Sequence, residues 1–120
     1  MEGKKSQSIL ASFRSAIRGL SLVLKERNFL IQGLIAFMAI SGSIIFDIPE
    51  IEKIIILIFV ALVLGAEMFN SALERVLDLV EEKYDQDVGR IKDMLAGAVF
   101  VFSVTAFIAG ILIFSRVFAF

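Results

Sequence analysis

Apolar residues gather in three blocks along this chain, at 29–46, from 54 onward and at 94–114, parted by short polar or charged stretches. Each can supply the roughly 20 residues needed to cross about 30 Å of hydrocarbon, the second by carrying polar positions with it. Membrane spans are therefore predicted at about 29–46, 54–73 and 94–114. Ahead of them, residues 8–25 place Ile9, Phe13, Ala16, Ile17, Leu20 and Leu24 at i, i+4, i+7, i+8, i+11 and i+15, with Arg14, Arg18 and Lys25 on another face. This spacing predicts an amphipathic helix lying on the membrane surface. The expected fold is all-α and integral to the membrane, a single domain over residues 1–120 with an N-terminal surface helix and three transmembrane helices.

The second block differs from the others. Its uninterrupted apolar run, 54–66, is 13 residues long, so a crossing must take Glu67 and Asn70 with it. At about 1.5 Å per residue, a crossing of about 30 Å begun at Ile54 ends near Leu73, which leaves Glu67 within the cytoplasmic leaflet and Glu74 near its surface. Glu67, Asn70, Ser71, Glu74 and Asp78 fall at i, i+3, i+4, i+7 and i+11 and point within about 100° of one another on a helix expected to continue to about Val80. Glu74 and Asp78 repel each other on a bare helix, and Glu67 is costly in hydrocarbon unless protonated, paired or facing a polar cavity. A cation or a partner chain must relieve this stripe. The charged segment that follows, "EEKYDQDVGRIKD" at 81–93, brings Arg90, Lys92 and Asp93 to the same depth, and Glu26 arrives there from the end of the surface helix. Asn28 and Gln32 add polar breaks where the first span begins, and the small pairs Ala61/Gly65 and Ala106/Gly110 suit close helix contact.

Composition sharpens the class. With 58% hydrophobic residues and a mean hydropathy of +0.89, the chain lies outside the soluble range. It has no cysteine and no histidine, which excludes disulfides, thiolate metal sites and imidazole bases, and leaves oxygen as the ligand for any metal. Lys4, Lys5, Arg14, Arg18, Lys25 and Arg27 precede the first span, the loop "DIPEIEK" has Lys53 as its one basic residue, the next connection carries Arg75, Lys83, Arg90 and Lys92, and the tail has Arg116. By the positive-inside rule the N-terminus and second connection are expected in the cytoplasm, and the first loop and C-terminus outside. No short apolar core with a small-residue cleavage site is seen in the first 27 residues, so the first span is expected to act as its own insertion signal. No nucleic-acid partner is expected.

Carboxylates without histidine or cysteine suit Mg²⁺, which takes one or two of them and shares its other positions with water and substrate phosphates. Lys92 and Arg90 are then candidates to meet phosphates, and Glu67 to accept a proton from a hydroxyl at headgroup level. These are the parts phosphoryl transfer requires, and the stripe reads as a lipid kinase site. Neither G-x-x-x-x-G-K-[ST] nor G-x-G-x-x-G occurs, so the fold is expected to be neither that of a P-loop enzyme nor that of a protein kinase. Two other readings stay open on these residues: a small proton-coupled transporter using Glu67, and a non-catalytic assembly subunit whose stripe holds helices together. Three spans are too few to enclose ATP and a lipid headgroup, so self-association is expected.

The runs "EMFNSALERVLDLV" at 67–80, Tyr84, "GRIKDMLAGAV" at 89–99 and "KERNF" at 25–29 resemble the small prokaryotic diacylglycerol kinases and their undecaprenol kinase relatives. The likeness covers most of the chain. It implies a homotrimer in the bacterial cytoplasmic (inner) membrane, with active sites between subunits, ATP as co-substrate and Mg²⁺ as cofactor. It also implies that Glu67 is the catalytic base and Asn70 orients the site. Glu26 and Glu74 would bind the metal and with it the nucleotide, and Lys83, Tyr84, Asp85, Lys92 and Asp93 would contact the nucleotide. Asp78 and Arg90 would support them. "ERNF" and "AGAV" lean towards the undecaprenol branch, "NSAL" and "GRIKD" towards the diacylglycerol branch, and the sequence leaves both alcohols open.

Overall fold

In the computed structural model, residues 2–80 and 86–118 are described, and among them the chain forms four helices and no strand: α1 (Glu2–Val23), α2 (Arg27–Ile45), α3 (Glu50–Val80) and α4 (Gln86–Ser115). The last three are 19, 31 and 30 residues long and apolar enough to cross a membrane. Three such helices are what a multi-pass membrane protein requires. Its outward faces are covered with large apolar side chains such as Leu34, Phe37, Met38, Phe100 and Phe107, all exposed in the single chain, as expected where lipid replaces water as solvent.

Several boundaries differ from those read along the sequence. The surface helix spans Glu2–Val23 instead of 8–25, because Leu24 and Lys25 already belong to a turn in which the Glu26 amide donates to the Val23 carbonyl at 2.9 Å. The helix that carries the second expected span, α3, begins at Glu50, immediately after Pro49, whose carbonyl accepts from Glu52 and Lys53 at 2.9 and 3.0 Å. Proline cannot continue a helix inward from its own position but suits the entrance to one, and Glu50 and Glu52 complement the positive end of the helix dipole. The fourth helix begins at Gln86, so Arg90, Lys92 and Asp93 are helical residues on α4 and not part of a connecting segment. As predicted, α3 runs on to Val80, about 46 Å of helix at 1.5 Å per residue, so its last turns project past the bilayer core.

α3 packs against both α2 and α4. The apolar core lies at the end of the bundle that holds the α2–α3 turn, where Ile48, Ile56 and Ile113 are buried and Ala39, Ile40, Val60 and Phe114 pack around them. Here α2 and α4 meet closely: a Cβ on Gly42 would lie 3.2 Å from the Phe114 ring. Asp47 turns the chain between α2 and α3 with φ of 51°, a left-handed conformation that aspartate tolerates better than most residues. Arg116 pairs with Glu52, and the Phe46 and Phe118 rings meet edge-on at 5.0 Å, closing the same end. Gly65 and Gly110, by contrast, have open space where a Cβ would stand, so neither is explained by close helix contact within the chain. The molecule is 21 Å in its thinnest direction, about two helix diameters.

Candidate functional site

Glu26 sits in the break between α1 and α2, at the N-cap of α2, with extended backbone (φ −89°, ψ 132°). Its carbonyl accepts from the Leu30 amide at 3.1 Å, yet its carboxylate does not cap the helix it precedes. The side chain reaches α3 instead, where one carboxylate oxygen accepts from the Ser71 hydroxyl and the other from Arg75 at 3.5 Å. Glutamate is an uncommon N-cap, and its presence here is accounted for by this contact across the helices.

One turn earlier on α3, Glu67 is only 5% exposed. The amide of Gln32, on α2, donates to its Oε2 at 3.1 Å, and Glu26 and Glu74 are the charged neighbours close enough to act on it. The helical spacing of 67, 71, 74 and 75 on α3 and of 26 and 32 at the start of α2 is what brings these groups to one place. Asn70 is half-buried on the same stripe, and its Oδ1 is buried without a hydrogen-bond partner among the described residues. At the C-terminal end of the stripe, Lys92 on α4 donates to the Asp78 carboxylate at 2.6 Å. That contact holds the ammonium above the usual lysine range, and it lies ahead of the apolar run that starts at Met94. It supplies the cation that the repulsion between Glu74 and Asp78 called for.

Of the residues singled out on the sequence, Glu26, Glu67 and Glu74 are thus neighbours, Asn70 lies on their stripe, and Lys92 and Asp78 are joined. Asp93 is exposed, and Arg90 is exposed and paired with Asp87 at 3.6 Å, one turn earlier on α4. Lys83, Tyr84 and Asp85 lie outside the described residues. Asn28 is exposed. Sequence reasoning did not single out Arg75, which reads as one more cytoplasmic charge, and found Gln32 only as a polar break in an apolar run.

The donor set can be weighed against a divalent cation. No group of three metal-binding side chains close enough to hold an ion occurs among the described residues. Glu26 and Glu74 provide two carboxylates, which suits an ion that draws its remaining ligands from water and phosphate. A protein-only cage for calcium or zinc does not fit these residues. Chemically, the cluster offers a buried carboxylate held by an amide, two less buried carboxylates beside it, and cations at the wet end.

Comparisons with known proteins give the family. The model of the family described as prokaryotic diacylglycerol kinase matches residues 14–114. The undecaprenol kinase of Bacillus subtilis (strain 168) is 34% identical over 104 residues, covering 86% of this chain and 85% of the relative. The diacylglycerol kinase of Escherichia coli (strain K12) is 31% identical over 85 residues, 71% of this chain and 70% of the relative. That of Synechocystis sp. is 32% identical over 105 residues, 86% of this chain and 60% of the relative.

Proposed function

Since the chain belongs to the prokaryotic diacylglycerol kinase family of membrane lipid kinases, we propose that it transfers the γ-phosphoryl group of ATP to the hydroxyl of diacylglycerol, forming phosphatidate. The observation that carries this reading is Glu67, a carboxylate 5% exposed in a membrane helix and fixed by Gln32. Glu67 accepts the proton of the lipid hydroxyl as that oxygen bonds to the γ-phosphorus. The bond from phosphorus to the bridging oxygen breaks and ADP leaves with its electron pair. Asn70, one turn inward, orients the hydroxyl with its side-chain amide.

Glu26 and Glu74 would hold Mg²⁺ with the nucleotide phosphates, and a bound Mg²⁺ supplies charge neutralisation on the transferring group. Ser71 and Arg75 fix the Glu26 carboxylate for this task. Lys92 and Asp93, with the Lys83, Tyr84 and Asp85 stretch, would contact the nucleotide. Asp78 holds Lys92, and Arg90 supports the same inner surface. A chain two helices thick does not enclose both substrates, which supports a homotrimer with sites between subunits. The charge pattern supports a bacterial inner-membrane location, with the N-terminus cytoplasmic and the C-terminus outside.

Undecaprenol is the second reading, favoured by the 34% identity to an undecaprenol kinase. The test is transfer of labelled γ-phosphate from Mg-ATP to diacylglycerol and to undecaprenol in parallel, by purified protein in mixed micelles. Label on diacylglycerol that is lost in Glu67→Gln is expected. Label on undecaprenol alone replaces the first reading with the second, and no label on either lipid from folded protein removes both.

A further inference from the structure

Several hydroxyl side chains on these helices satisfy themselves. Ser21, Ser43, Thr105 and Ser115 each donate to a carbonyl three or four residues earlier, at 2.6, 2.7, 2.8 and 3.0 Å, the usual solution where water is scarce. Ser103 does not. Its Oγ is buried and has no partner among the described residues. Such an atom calls for an explanation, since an unpaired hydroxyl in an apolar setting is costly.

Ser103 lines a cavity of about 400 Å³ between α2, α3 and α4, whose other lining residues are apolar except for Gln32. Two registers place Ser103 at the depth of Glu67. α2 and α4 run parallel and meet at Gly42 and Phe114; ten residues inward on each lie Gln32 and Val104, beside Ser103. α3 and α4 run antiparallel and meet at Asp78 and Lys92; eleven residues outward on each lie Glu67 and Ser103. Gln32, Glu67 and Ser103 therefore share one level to within about a helical turn. The cavity extends from that level outward to Ile113 and Phe114.

We propose that Ser103 is a specificity-determining residue, its hydroxyl donating to an ester carbonyl of the lipid substrate while the lipid's hydrocarbon lies along the cavity towards Phe114. The inference rests on the lipid kinase reading above. A serine hydroxyl needs an acceptor, and the acceptor that a glycerolipid carries a few bonds from its free hydroxyl is an ester carbonyl. A polyprenol carries none. The hydrocarbon itself contributes little discrimination, because bilayer tails are as apolar as the cavity wall. The polar contact decides, since a site built to hydrogen-bond a substrate group disfavours an analogue that lacks it.

The test compares wild type, Ser103→Ala and Ser103→Thr in the full chain, with Mg-ATP and three lipid alcohols: a diacylglycerol, the dialkylglycerol ether of equal chain length, and undecaprenol. Ser103→Ala should lower kcat/KM for diacylglycerol about two- to tenfold, leave the values for the ether and for undecaprenol unchanged, and leave KM for Mg-ATP unchanged. Ser103→Thr, which keeps the hydroxyl, should stay near wild type. An equal fall on all three lipids marks a packing role and overturns the proposal, as does an unaltered kcat/KM for diacylglycerol. Wild-type activity on undecaprenol but not diacylglycerol overturns it while leaving the lipid kinase reading standing. No transfer to any lipid removes both.

Discussion

Replacing Ser71 by alanine removes the hydroxyl that donates to the Glu26 carboxylate while leaving the packing of a 7% exposed position nearly unchanged. What then holds Glu26 is Arg75, at 3.5 Å and with its own side chain 59% exposed. A hydrogen bond to a charged group contributes about 1.5–3 kcal/mol. The Glu26 side chain is 29% exposed, so water takes over part of the lost interaction, and about 1–2 kcal/mol is the expected loss of positioning. At 1.36 kcal/mol per factor of ten, that is roughly a 5- to 30-fold effect.

If Glu26 serves the metal and its nucleotide, this loss falls on KM for Mg-ATP, and KM for the lipid stays constant because Glu67 and Gln32 are bonded to each other independently of Ser71. Initial rates at fixed lipid mole fraction and varied Mg-ATP measure it, with Ser71→Thr as the variant that retains the hydroxyl. The reasoning is refuted by a Ser71→Ala enzyme whose KM for Mg-ATP is unchanged, or whose lipid KM rises instead.

Other predictions follow from neighbouring contacts. Gln32→Leu should lower kcat with the lipid about 10- to 100-fold, by removing the donor to a buried carboxylate, with KM for Mg-ATP unchanged; steady-state kinetics with each substrate varied separates the two. Glu67→Gln should abolish transfer yet raise the thermal unfolding midpoint in detergent, because it removes a buried charge beside Glu26 and Glu74; a lowered midpoint contradicts this. Gly42→Val should destabilise the end that holds the α2–α3 turn by about 1–3 kcal/mol through overlap with Phe114, seen as a lower midpoint with kcat per folded enzyme preserved. Chelation of Mg²⁺ should stop transfer, and re-addition restore it, with helix content by circular dichroism constant throughout.

The spans were legible because hydropathy alone writes them, and the extension of α3 to Val80 was legible because the polar stripe keeps a helical period beyond the apolar run. The start of α4 was not. Residues 86–93 carry too much charge to register as a span, yet contain no proline and continue the helix, which is how Lys92 comes to reach Asp78. The partners of the stripe were legible only in part. Glu67, Ser71, Glu74 and Asp78 follow from periodicity on one helix, whereas Gln32 on Glu67, Arg75 on Glu26 and a Ser103 without a partner among the described residues depend on how three helices lie beside one another. Local spacing carries no record of that arrangement.

Exposure along the stripe rises in order: Glu67 is 5% exposed, Glu26 and Glu74 are half-buried, and the Asp78 side chain is 65% exposed. Under the proposed function the gradient would separate two tasks that need opposite surroundings. A base acting on a lipid hydroxyl works where water is excluded and its orientation is fixed by a neighbouring amide, because every electrostatic interaction strengthens at low dielectric. Groups that receive a soluble polyanion with its cation must stay in contact with water, since the nucleotide arrives and departs through it. A single helix carrying carboxylates at i, i+7 and i+11, from buried to exposed, would meet both needs with one element. A further carboxylate one turn along, at the 7% exposed Ser71, would bury a second charge beside Glu26 and remove the hydroxyl that donates to it, so the carboxylates stand at 67, 74 and 78 with a neutral donor between them.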